Sequence, residues 1–138
     1  MPASTGTNHY MICLLDTNAI IDYLGGVIPA SAMANMHSIV NEGFFISIIT
    51  KIETLGFSSD NAEVDANTAA FVSLATVFEL TPEVAQTAIE LKRVRKIITP
   101  DAIIAATALI HNLALLTRNN KDFKNMEGLA VIDPHTLE

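Results

Sequence analysis

The chain is poor in cysteine. Cys13 is the only one among 138 residues, which excludes an internal disulfide framework and a zinc site built on paired thiolates. It is compatible with a reducing, cytoplasmic setting. Cys13 lies in the apolar run Ile12-Cys13-Leu14-Leu15 and reads as a small core residue. Long apolar runs are also lacking, and none approaches the roughly 18–20 residues of a membrane span. The opening stretch MPASTGTNHY has neither the basic nor the apolar part of a signal peptide. It reads as a loose tail over residues 1–10, with Met11 as a second candidate start and a single domain over 11–138. Internal repeats and low-complexity tracts are absent from that domain, and the four histidines are scattered without ligand spacing.

Positive charge is scarce and unevenly placed. The net charge is −7, which argues against a general nucleic-acid adhesive. All eight basic residues nevertheless follow position 50: Lys51, then Lys92, Arg93, Arg95 and Lys96, then Arg118, Lys121 and Lys124. A protein that holds one polyanion locally has this distribution, although a solvated helix face has it too.

Half of the residues are apolar and 17% are charged, the balance of a folded chain. Short apolar segments at 12–16, 44–48, 76–80, 114–117 and 130–132 are expected strands. Helices are expected over 18–25, 30–42, 50–56, 62–74, 82–97 and 100–112, the last two opening with Thr-Pro pairs that suit a cap followed by proline in the first turn. Apolar strands alternating with helices imply an α/β/α sandwich on a mostly parallel, roughly five-stranded sheet. In that architecture strand ends and helix starts converge on one rim, where ligands bind.

The stretch LLDTNAIIDYL places Asp16 where the first strand stops. Glu53 falls in the expected first turn after strand 44–48, Asp101 at the start of the helix before strand 114–117, and Asn119 and Asp122 after that strand. All five are expected on the same rim. Clustered carboxylates favour protonation or a bound cation, and hard oxygen donors suit Mg²⁺ or Mn²⁺, which can activate water against a phosphodiester. Each position also has an ordinary explanation. Asp16 can cap a helix, Thr50 to Glu53 matches a capping box, Asp101 complements a helix dipole, and Asp122 suits a turn. Asp22 reads as solvent-facing or as a local polar partner.

Taken together, LLDTNAIIDYL, SIITKIETLGF and TPDAIIAATALIHNLALLTRNNKDF resemble the PIN-domain ribonucleases, and within them the VapC-type toxins of toxin–antitoxin pairs. The resemblance covers about residues 11–133. It implies a compact α/β/α sandwich, an acidic Mg²⁺ or Mn²⁺ site and endonucleolytic cleavage of RNA. The acidic positions carried over are Asp16, Glu53 and Asp101. The fourth falls on Asn119, where many members have Asp, and Asp122 stands three residues on as a further ligand candidate. Thr17 and Asn18 would order the turn around Asp16. With Thr117, Arg118 and the basic group Lys92, Arg93, Arg95 and Lys96, they are the candidate substrate contacts. A small antitoxin and a second copy of the chain are the implied partners. Two other classes compete: a PIN-like binding module that has lost catalysis, favoured by Asn119, and a phosphoacceptor receiver domain. The latter would want an acidic pair after the first strand and an Asp after the third, where the chain has Thr17 and Glu79.

Overall fold

The structure is a computed structural model that describes residues 12–137; the expected tail over 1–10 lies outside the described residues. In chain order the elements are β1 (Cys13–Leu15), α1 (Thr17–Leu24), α2 (Ala30–Glu42), β2 (Phe45–Ser47), α3 (Ile48–Leu55), α4 (Ala62–Val72) and β3 (Thr76–Phe78). There follow α5 (Pro82–Val94), α6 (Thr99–Ile110), β4 (Ala114–Leu116), α7 (Asn120–Phe123), β5 (Val131–Ile132) and a 3₁₀ turn, Pro134–Thr136. The strands form one sheet in the order β3-β2-β1-β4-β5. Every pairing in it is parallel, so the expected mostly parallel sheet is wholly so among the described residues.

Strand alternation builds two apolar layers. Cys13, Leu15, Ile46 and Leu116 face one core with α1, α2 and the end of α4. Leu14 and Leu115 face the other with α5, α6 and Phe123. Burial on both faces explains why the three inner strands, β1, β2 and β4, read as apolar runs. The chain moves outward from β1 through β2 to β3, then crosses to β4 on the opposite side of β1. Strand order therefore reverses at β1, and the crevice at its carboxyl end is where such sheets take ligands.

Two helix starts differ from expectation. Ser47, not Thr50, caps α3, its hydroxyl accepting from the Thr50 N–H at 3.2 Å. Ile49 packs on the second core, which draws the helix start back along the chain. Glu53 consequently sits in the second turn, and the expected capping box does not form. Thr99 is the first residue of α6 rather than its cap; Ile98 precedes it without a side-chain bond, and the Ala102 N–H reaches the Ile98 carbonyl. By contrast α5 opens as expected, with Thr81 Oγ1 accepting from the Val84 N–H and Pro82 in the first turn. Its end is earlier than expected, because Arg95 turns extended.

Candidate active site at the carboxyl rim

Asp16 follows β1 and is also the residue that caps α1. Its carboxylate is 5% exposed and accepts three hydrogen bonds: from the Thr17 N–H at 2.8 Å, from Asn18 Nδ2 at 3.1 Å and from Thr117 Oγ1 at 2.8 Å. Burial pushes its pKa up against these donors, and the Glu53 charge adds to the rise. The cap and the candidate ligand are thus one side chain, with its oxygens fixed by groups from the start of α1 and from the loop after β4.

Thr117 and Asn18 do that fixing. Thr117 is fully buried. Its hydroxyl donates to Asp16 and accepts from Asn18 Nδ2 and the Asn119 N–H, so this expected substrate contact is spent inside the protein. Asn18 also accepts from the Arg118 N–H at 3.0 Å, tying the start of α1 to the loop after β4. Thr17 Oγ1 donates to Glu53 Oε1 at 2.6 Å and turns that exposed carboxylate toward the rim.

Asp101 opens α6 and is half-buried. Its pKa is raised to about 6, first by burial and then by the negative charges of Asp16, Asp122 and Glu53. Four acids scattered along the sequence therefore act on one another here. Asn119 caps the short α7, and its Nδ2 donates to Asp122 Oδ2 at 2.9 Å. The Asp122 carboxylate thus has an amide donor beside it at this end of the rim.

The donor set suits a hard divalent cation in kind, since all its oxygens are carboxylate, amide or hydroxyl. Among the described residues no group of three or more acidic, histidine or cysteine side chains is arranged as a ready-made metal cage. A magnesium-like ion needs no such cage, because it keeps several waters and takes one or two carboxylates together with substrate phosphate.

Other expected residues fall further out. Arg118 is exposed at the rim, with Nε 3.0 Å from Asp22 Oδ2. Asp22 is 7% exposed, not solvent-facing, and its partners are distant in sequence: Arg118 and His135, whose Nε2 stands 2.8 Å from the same oxygen. Lack of spacing hid His135 from the sequence reading; only the fold brings the last turn beside α1. Within the basic group, Lys92 donates to the Ile97 carbonyl and Arg95 to the Asp122 and Lys124 carbonyls, while Arg93 and Lys96 are exposed. Beside Glu53, an apolar groove of about 740 Å³ runs between α1, α3 and α4, lined among others by Ile21, Leu24, Leu55, Phe57 and Val64. No helix among the described residues is long and apolar enough to cross a membrane.

Comparison with known proteins agrees with this layout. The PIN domain family profile matches residues 13–129. Ribonuclease VapC1 of Rickettsia felis is 56% identical over 34 residues, a match that takes in 25% of each chain. Among solved structures, a toxin–antitoxin complex from Klebsiella pneumoniae aligns at 30% identity and a TM-score of 0.71, covering 88% of this chain and 97% of that one. VapBC-1 from nontypeable Haemophilus influenzae aligns at 25% identity and a TM-score of 0.71, covering 90% and 98%. With its sheet order, its rim acids and a family match over most of its length, the chain belongs to the PIN domain family.

Proposed function

We propose that the chain is an endoribonuclease that works with Mg²⁺ or Mn²⁺ and acts as the toxin of a toxin–antitoxin pair. The observation that carries this reading is the buried Asp16 carboxylate at the switch point of the sheet, within electrostatic reach of Glu53 and Asp101. Asp16, Glu53, Asp101 and Asp122 would hold the ion, one or two of them directly and the others through its waters. When bound, such an ion supplies Lewis-acid chemistry and activates water for attack at phosphorus.

The protein's own groups do the rest. Thr117 and Asn18 fix the Asp16 oxygens, and Thr17 aims Glu53. Asp101 loses its proton near pH 6, so its own carboxylate is charged at neutral pH. The Arg118 guanidinium is braced by Asp22 yet open to solvent, which suits a phosphate contact. Arg93 and Lys96 are exposed on the approach to α6 and suit the RNA backbone further out.

A small antitoxin fits the same picture. The solved relatives include a toxin–antitoxin complex, and the apolar groove beside Glu53 suits an amphipathic segment of such a partner. A second copy of the chain completes the proposed assembly, and light scattering at micromolar concentration checks it.

The test is cleavage of total RNA by the purified chain with Mg²⁺ or Mn²⁺, with and without chelator, beside Asp101→Asn. Expected are metal-dependent internal cuts and none from the variant. Cleavage indifferent to chelator refutes the metal requirement. A folded chain that binds RNA without cutting it refutes the enzyme and leaves a binding module.

A further inference from the structure

The basic group between α5 and α6 divides by geometry. Lys96 and Arg93 are exposed. Arg95 is half-buried, and its terminal nitrogen donates to two backbone carbonyls of the α7 loop, Asp122 O and Lys124 O, each at 3.1 Å. Those acceptors lie at the end of a one-turn helix, where carbonyls lack partners within the helix. The helix is too short to hold itself, because a first turn fixes several residues for a single hydrogen bond. Phe123 anchors its far side in the core, and Asn119 caps its start. On the exposed side, Arg95 supplies the two bonds to its end.

Asp122, whose carbonyl Arg95 holds, is also the residue whose carboxylate acts on Asp101. Arg95 is an arginine in extended backbone immediately after α5. The same short connection leads into α6 and Asp101, and Lys92 fastens it through the Ile97 carbonyl at 2.9 Å. One connection thus touches both acidic positions on this side of the rim.

We propose that Arg95 is a positioning residue: it docks the α7 loop against the α5–α6 connection and so sets the Asp122 carboxylate against Asp101. The proposal rests on the ribonuclease reading for its kinetic consequence alone. One guanidinium nitrogen shared between two neutral carbonyls holds the Arg95 side chain on the α7 loop with its positive charge intact, so in this proposal its bonds go to the protein and not to RNA phosphates. Lys96, exposed one residue on, is the side chain placed to meet them.

The experiment compares Arg95→Met and Lys96→Met in the full chain by three measurements. Amide hydrogen exchange reads the loop directly. Asn120 and Lys124 N–H groups bond to the Arg118 and Asn120 carbonyls, and both should exchange faster in Arg95→Met, with α6 amides unchanged. The salt dependence of RNA binding should keep its slope in Arg95→Met and lose about 0.7 in Lys96→Met, the value for one contact to single-stranded nucleic acid. In cleavage, Arg95→Met should lower kcat about tenfold or more with KM unchanged, since displacement of a site group by an ångström costs up to about a hundredfold. Unchanged exchange at Asn120 and Lys124 overturns the proposal, and so does a reduced salt slope in Arg95→Met. A parent chain that cuts no RNA refutes the ribonuclease reading, and the exchange result still decides the role of Arg95.

Discussion

Asp101→Asn should stabilise the fold while abolishing activity. The carboxyl is raised from 3.8 to about 6 by burial and by the charges of Asp16, Asp122 and Glu53. Between those two values the native state holds a proton that the unfolded state has released. Stability therefore falls as pH rises through that window, and the full penalty is present above about pH 6. Roughly 1.36 kcal/mol accompanies each pH unit of such a difference, which would give about 3 kcal/mol. Asp101 is only half-buried, so solvent screening reduces the figure to about 1–2 kcal/mol. For a chain of this length that corresponds to about 3–8 °C in Tm.

The assay is thermal unfolding of parent and variant at pH 4, 5, 6 and 8 in chelator, at fixed ionic strength. The variant should match the parent near pH 4 and unfold about 3–8 °C higher at pH 8. Added Mn²⁺ should narrow the gap, because a cation that binds the parent's native state stabilises it by mass action. A variant no more stable than the parent at pH 8, or a gap of equal size at pH 4 and pH 8, refutes the idea that repulsion and burial at the rim raise Asp101.

Thr117→Val keeps the shape and removes a buried hydroxyl that serves Asp16, Asn18 and the Asn119 N–H. It should cost about 1–3 kcal/mol in urea unfolding and raise the Asp16 carboxyl further; a cost below about 0.5 kcal/mol would make the hydroxyl dispensable. Asn119→Asp turns the 2.9 Å bond to Asp122 into a repulsion and adds a charged oxygen. Calorimetry should find Mn²⁺ bound about tenfold more tightly, because affinity follows ligand charge, and unchanged binding would remove position 119 from the metal-binding surface.

Much of the fold was legible because local chemistry and global packing agree. The apolar segments ending at Leu15, Ser47 and Leu116 read as strands because both their faces are covered, and the Gly43 and Thr81-Pro82 signals mark element boundaries. Boundaries that depend on packing were not legible. Thr50 carries the right chemistry for a cap, but with Ile49 packed against the second core α3 starts earlier, at Ile48 behind a Ser47 cap. Asp22 has the local pattern of an exposed helix position, yet the last turn and the loop after β4 bury it under His135 and Arg118.

The sequence by itself determined the alternation of strand and helix, and hence a parallel sheet whose rim collects Asp16, Glu53, Asp101, Asn119 and Asp122. That follows from periodicity and chain direction alone. Only the tertiary structure decided how each side chain is used, because a hydrogen bond depends on which atoms arrive within about 3 Å from distant parts of the chain. Thr117 is spent on Asp16, and Arg95 on the carbonyls behind Asp122. Asp101 is left half-buried among like charges, with its proton held to about pH 6.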